Sequence, residues 1–229
     1  MASINQVVSE IAHSLSQPNN YALRENIKNI IIHTRNEIIR HSYEQHGYVD
    51  KGLTQRYKVT LTEVNDGEIE LPEGFDCNIT KIKRTTQKVQ KPVRLTNNLP
   101  FDRVSSVGFK YNKVFPFIKE STARFRKAVP GLCGVTCYDY INGYIYLFPS
   151  TNVSDVLLNI NTIVIESAFE HPSEIQLINK EEDGFTIEMD DNEWVISEDM
   201  IGQIKDIIYK RDLLNQHRET DEIPSTIKY

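Results

Sequence analysis

Hydrophobic positions recur at helical spacing toward both ends of the chain and in short alternating runs between them. Ser3 and Gln6 have the spacing of a capping box, in which a hydroxyl and an amide satisfy free backbone donors at a helix start. Ile4, Val7, Val8, Ile11 and Leu15 then form one apolar stripe. Pro18-Asn19-Asn20 interrupts it and offers Asn20 as the cap of a second helix. There Leu23, Ile27, Ile30, Ile31, Thr34 and Ile38 share a face, opposed by Arg24, Glu25, Lys28 and Arg35. The short connection predicts an antiparallel helix pair spanning Ser3 to Tyr43, ended by Gly47. Near the other terminus, Met200, Ile201, Ile204, Ile207 and Ile208 predict a final helix from Glu198 to about His217, capped by Ser197. Glu198 and Asp199 suit the positive end of its dipole, and Lys210, Arg211 and Arg218 the negative end.

After Gly47 the period drops to two. Tyr57, Val59 and Leu61 alternate with Lys58, Thr60 and Thr62, the pattern of a half-buried strand. Asn65-Asp66-Gly67 reads as a turn into a short strand, Glu68 to Leu71, stopped by Pro72. Ile79 and Ile82 mark a further strand; Pro92 to Leu95 and Val104 to Phe109 are weaker ones. Asn142-Gly143, set between Cys137–Ile141 and Tyr144–Phe148, predicts a tight hairpin with aromatic residues on both arms. Leu157 to Phe169 predicts a long strand, with Leu158, Ile160, Thr162, Val164 and Glu166 on one face and Leu157, Ile163, Ile165 and Ser167 on the other. Gly184 to Met189 is a last strand candidate. Glu219 to Tyr229 has no periodicity and contains Pro224, as expected of an extended tail.

These elements predict an α+β protein. Residues 1–47 and 196–217 form a helical module, residues 48–195 an inserted, mainly antiparallel β-sandwich or barrel-like module, and 218–229 a tail. A length of 229 residues with 39% hydrophobic content is ample for a buried core. No run approaches the ~20 apolar residues of a membrane helix, and no secretory signal is expected at the N-terminus. Cys77, Cys133 and Cys137 form an odd set with no disulfide or metal framework, as expected of reduced structural thiols.

Charge is unevenly placed. Lys81, Lys83, Arg84, Lys88, Lys91 and Arg94 lie in a stretch without an acid, whereas Glu166 to Asp199 holds twelve acids and one Lys, Lys180. These can be solvated loops of opposite sign, or the two sides of a contact between identical neighbours, whose head-to-tail association closes into rings. The basic stretch could also touch nucleic acid, but it has few interleaved aromatics and the chain's net charge is −6.

The residues contain no Gly-rich phosphate loop, Ser elbow, HExxH or paired CxxC. Cys133 and Cys137 lack a second pair; His13, His33 and His41 fall on helices, where surface or interface roles are expected. Glu188, Asp190, Asp191 and Glu193 beside Trp194 lack the ligand spacing of a calcium loop. No catalytic residue, cofactor or metal ion is expected. Tyr138, Tyr140, Tyr144 and Tyr146 leave a second reading open, a stacking platform for a carbohydrate or tail partner.

Val104-Ser105-Ser106-Val107-Gly108-Phe109, the hairpin from Tyr138 to Pro149, Ile165-Glu166-Ser167-Ala168-Phe169-Glu170-His171-Pro172 and Val195-Ile196-Ser197-Glu198-Asp199-Met200-Ile201 occur in order along the chain. Together they resemble the virion structural proteins of crAss-like bacteriophages, and more broadly the head-to-tail adaptor and ring proteins of short-tailed phages. The resemblance implies a non-enzymatic ring, of twelve subunits, docked under a portal protein. Such a ring would extend the channel through which phage DNA passes without sequence recognition, and would seat other tail proteins. It also implies a place at the head–tail junction of the virion, after synthesis in the host cytoplasm. On that reading Ile27, Ile31, Ile38, Lys81, Lys83, Arg84, Lys88, Asp190, Asp191, Ile204 and Ile208 are candidates for the subunit interface. Ile223, Pro224, Ile227 and Tyr229 are candidates for docking the tail onto a partner.

Overall fold

The computed structural model describes residues 3–64, 82–95, 99–107, 113–118, 135–148, 160–175, 178, 196 and 198–210. The chain is α+β and divides into two compact units, Met1–Leu53 with Gly184–Tyr229, and Thr54–Asp183. The strands expected at Glu68 to Leu71 and Gly184 to Met189, and the tail beyond Glu219, lie outside the described residues.

In the first unit, helix α1 spans Ile4–Ser14 and α2 spans Tyr21–His46. Both start where short polar side chains can accept a backbone donor. Ser3 Oγ accepts from the Gln6 amide at 3.2 Å, and Asn20 Oδ1 from the Leu23 amide at 3.1 Å. Gly47 ends α2 with φ of 75°, a left-handed conformation that costs glycine little. Between the helices, Arg24 donates to Pro18 O and Ser9 Oγ, fastening the turn to both. Helix α3, Glu198–Ile208, places Met200, Ile204 and Ile208 inside the protein. It is tied to α1 by an ion pair between Lys205 and Glu10 and by a Ser14–Tyr209 hydroxyl bond of 2.7 Å.

The apolar face of α2 differs from expectation at several residues, most of all at Arg35. Ile27, Ile31, Thr34 and Ile39 are buried, Ile30 and Ile38 only half-buried, and Arg35, expected on the polar side, is 0% exposed. Steps of four residues advance 400°, so the row from Ile27 through Ile31 to Ile39 runs through position 35. The long arginine stem can occupy an apolar face, while Nη1 donates to Asn36 Oδ1 at 3.1 Å. Burial pushes the guanidinium down to about 10.

The second unit is built on a six-stranded antiparallel sheet in the order β3-β6-β1-β2-β5-β4. Its strands are β1 (Gln55–Glu63), β2 (Lys83–Thr85), β3 (Arg103–Ser106), β4 (Cys137–Ile141), β5 (Tyr144–Phe148) and β6 (Thr162–Ser167). β1 holds the sheet together: Gln55 to Thr60 pair with β6 on one side, and Leu61 to Glu63 with β2 on the other. Tyr57, Val59, Ile163 and Ile165 point inward as the alternation predicts, and register adds Val104, Thr85, Ile145, Leu147 and Tyr138 to the same face. The hairpin turns through Asn142 and Gly143, with φ of 53° and 89°, as the Asn-Gly pair requires.

The sheet curls, and residues 113–118 bridge its outer strands. Their first half runs antiparallel to β3, with Phe115 N donating to Val104 O at 2.8 Å and Ser106 N to Lys113 O at 3.0 Å. Their second half runs parallel to β4, with Ile118 N donating to Tyr138 O and Tyr138 N to Pro116 O, both at 3.0 Å. The result is barrel-like, and it leaves fewer open edge groups than a flat sheet would. Phe101, Phe115, Ile160, Phe169 and Ile175 fill the interior, with Tyr57 edge-on to Phe169 at 5.4 Å. Cys137, Tyr146, Phe148 and Ile118 form a second cluster on the opposite face of the hairpin.

Lys83 faces the core and is 4% exposed. From β2 it reaches past β1 to the residues preceding β6, where Nζ donates to Ile160 O at 2.9 Å and Asn161 Oδ1 at 3.1 Å. Lys83→Ala removes a buried stem and strips a buried carbonyl of its donor, so it should lower stability by about 2–4 kcal/mol in urea unfolding. Burial raises the hydroxyl pKa of Tyr57, against a lowering by the Gln90 amide bond, and raises that of Tyr138, helped by Asp102 and Asp139. A raised folded pKa gives stability that is complete below the unfolded tyrosine value of about 10 and is lost as pH climbs past it. The Tm is therefore expected to fall between about pH 9 and 11.5, and to fall less in Tyr138→Phe. Arg35 titrates in the same window with opposite sign but is common to both proteins, so the difference isolates the tyrosine.

Candidate functional site

The sequence brings its strongest positive charge onto β2 and the segments that flank it, and the fold sorts those cations into different environments. Lys83, expected on a subunit interface, is interior within the chain, because alternation along β2 turns positions 83 and 85 to the core. Arg84 points the other way, half-buried, with its guanidinium carbon 5.2 Å from the centre of the Tyr144 ring, a cation–π contact. Lys88, Lys91 and Arg94 are exposed, and Lys81 lies outside the described residues.

The segment carrying these three exposed cations is a strap of residues 86–95 without helix or strand, yet its backbone is held by hydrogen bonds at several points between 86 and 93. Thr86 N donates to Thr60 O at 3.0 Å, and the two threonine hydroxyls meet at 2.9 Å. Val89 N donates to Gly143 O at 2.8 Å, and Gln90 N to the Tyr57 hydroxyl at 2.9 Å. Val93 N donates to Ala168 O at 2.8 Å, and Glu170 N to Lys91 O at 2.9 Å. Val89, Pro92 and Val93 are buried beneath. The Lys88 stem lies against the hairpin turn, where a Cβ on Gly143 would come within 3.4 Å of it.

The aromatic hairpin is largely consumed by the fold. Tyr138 and Tyr146 are 2% and 6% exposed, Arg84 covers Tyr144, and Tyr140 stands edge-on to Phe101 at 5.1 Å. Burial raises the Tyr140 hydroxyl pKa, with Arg94 lowering it and Glu170 raising it, so both charges stand near this ring. The rings expected as a stacking platform therefore contribute to the interior and to Arg84.

On the helical unit, Ile27, Ile31, Ile204 and Ile208 are each 0% exposed, which places them in the protein's own interior. Only Ile38 of the five expected interface isoleucines is partly accessible. His33 and His41 face solvent beside Glu37 and Glu44, at 3.5 Å and 3.9 Å along the same helix. Among the described residues, no group of three or more His, Cys, Asp or Glu side chains could hold a metal ion, and Cys137 is buried. No described helix is long and apolar enough to cross a membrane. Asp190, Asp191, Ile223, Pro224, Ile227 and Tyr229 fall outside the described residues.

Two features of this surface were missed at the level of sequence. Lys91 and Arg94 were counted in the basic stretch but not placed on an anchored strap, although the interleaved Val89, Pro92 and Val93 signal a segment held on one side. Asn161, the partner of Lys83, had no signal at all, because the pairing spans 78 positions.

A comparison with curated proteins finds no match. A comparison with protein families finds one whose model, described as phage tail ring protein 2, matches residues 6–226. That span includes both compact units and nearly the whole chain. The chain belongs to the phage tail ring protein 2 family.

Proposed function

We propose that this protein is the repeating subunit of a closed ring in the head-to-tail connector of a phage virion. The family match over residues 6–226 carries the reading, because it takes in the helical unit and the barrel-like unit together. The ring sits below the portal protein, extends the DNA channel and seats further tail proteins. Its work is structural, with no catalysis and no cofactor. Residues 1–47 and 196–217 form the adaptor module, 48–195 the β module that meets other tail parts, and 218–229 the tail that docks on a partner. Twelve copies match the symmetry expected under a portal.

The surface chemistry supports this assignment. Exposed cations on the strap, in a chain whose net charge is −6, suit contacts between neighbours through opposite charge. The same negative balance disfavours tight retention of DNA, whose phosphates are held mainly by Lys and Arg. Ile38 and Lys88 are accessible candidates for the interface, and Lys81, Asp190 and Asp191, outside the described residues, are candidates by sequence. Burial of Tyr138 and Tyr146 and the cover of Arg84 over Tyr144 favour the ring reading over glycan stacking on this hairpin.

Native mass spectrometry of the purified protein, alone and with a portal complex, tests the reading. The expected result is a closed oligomer of about twelve copies, alone or on the portal. A monomer indifferent to the portal overturns it. Deletion of residues 221–229 should leave the protomer folded and weaken docking to the portal or neighbouring ring, read by pull-down. Docking unchanged by the deletion removes the tail from the assignment.

A further inference from the structure

We propose that the strap of residues 86–95 is a preformed docking ridge for the acidic stretch 181–193 of a second copy of this chain. This deepens the ring reading and rests on it. Lys88 and Lys91 project from a segment whose backbone is tied to Thr60, Tyr57, Gly143, Ala168 and Glu170, and whose Val89, Pro92 and Val93 are buried. Holding the cations in place before contact removes part of the ordering cost that an exposed ion pair normally carries.

Spacing favours the same use. Lys88, Lys91 and Arg94 recur every third residue, a spacing that puts successive backbone positions at most about 10 Å apart. Screening by salt over about 8 Å weakens repulsion between exposed cations at such separations, while an anionic partner in direct contact is still attracted. Arg94 shares its end of the strap with Glu170, as both act on the Tyr140 hydroxyl, which leaves Lys88 and Lys91 as the principal contacts.

The occupant follows from charge. Glu181, Glu182, Asp183, Glu188, Asp190, Asp191 and Glu193 lie in a stretch that contains no Lys, Arg or His. Ridge and stretch are different segments of one chain, so their pairing between copies is head-to-tail and propagates around a ring. Lys83 and Arg84 are excluded from the ridge, one by burial and the other by its place over Tyr144.

Charge exchange tests the contact. Lys88→Glu/Lys91→Glu and, separately, Asp190→Lys/Asp191→Lys/Glu193→Lys are each expected to stay folded by circular dichroism and to lose the wild-type oligomer mass. Mixing the two variants should restore that mass, because each then meets a complementary neighbour. Variants that keep the wild-type mass overturn the proposal, as does a mixture that fails to recover it, the result expected of a contact within one chain. DNA retention that Lys88→Glu/Lys91→Glu abolishes with oligomer mass unchanged also overturns it, in favour of nucleic acid. If the wild-type protein is monomeric with and without portal, the ring reading itself fails. The ridge is then tested alone with a fluorescent peptide of residues 181–193, whose binding Lys88→Glu/Lys91→Glu should weaken about tenfold. The same peptide serves if either variant fails to fold, with 0.5 M salt replacing substitution: undiminished binding, or none to the wild-type protein, overturns the proposal.

Discussion

The pairing of strand β1 is the constraint from which the rest of the β unit follows. Its first six residues hydrogen-bond to β6 and its last three to β2, on opposite sides, so the two halves of the sheet share a single strand. A sheet joined this way can curl without breaking its ladders, because the partners change where the strand bends. Lys83 reinforces the junction by reaching from β2 to Ile160 and Asn161 on the far side of β1. Residues 113–118 then join the two outer strands, and the interior becomes dry enough for Val104, Ile145, Leu147, Ile163 and Ile165 to be fully enclosed.

The strap is a by-product of the same junction. After Thr85 the chain leaves the ladder at Thr86, whose amide still reaches Thr60. It crosses the Tyr57 hydroxyl and the hairpin turn before pairing with residues 168–170 beyond β6. The course is irregular because its donors go to a side chain and to loop carbonyls rather than to one neighbouring strand. It is nonetheless fixed, and that combination suits a surface for recognition. Regular strands would pair their backbone with any edge they met, whereas the strap offers side-chain charge on a backbone already bonded at Thr86, Val89, Gln90, Lys91 and Val93.

The helical unit shows how a single buried charge changes the reading of a face. Arg35 lies among the interior positions of α2, and desolvation depresses its pKa without removing the charge at neutral pH. A guanidinium there favours a particular arrangement of its surroundings over any other of equal hydrophobic area, since the arrangement must also receive its donors. The proposed ring would give that specificity a use, since a subunit matched to identical neighbours gains from one well-defined helix packing over several near-equivalent ones.

Local chemistry was legible without a fold. Ser3, Asn20 and Gly47 mark helix ends through contacts within four residues, and Asn142-Gly143 sets a turn through its own φ angles. Alternation in Tyr57-Val59-Leu61 and in Ile163-Ile165-Ser167 reports which face is covered, because strand side chains point to opposite sides. Those signals determined the α+β class and most of the core. They could not say that Lys83 is interior while Lys88 and Lys91 are exposed, since three lysines look alike until register assigns the face. Nor could they pair Lys83 with Asn161, seat Arg35 in the interior of α2, or join β3 to β4 through residues 113–118. Each of these depends on groups distant in sequence meeting at hydrogen-bond distance, and only the tertiary structure decides which of them do.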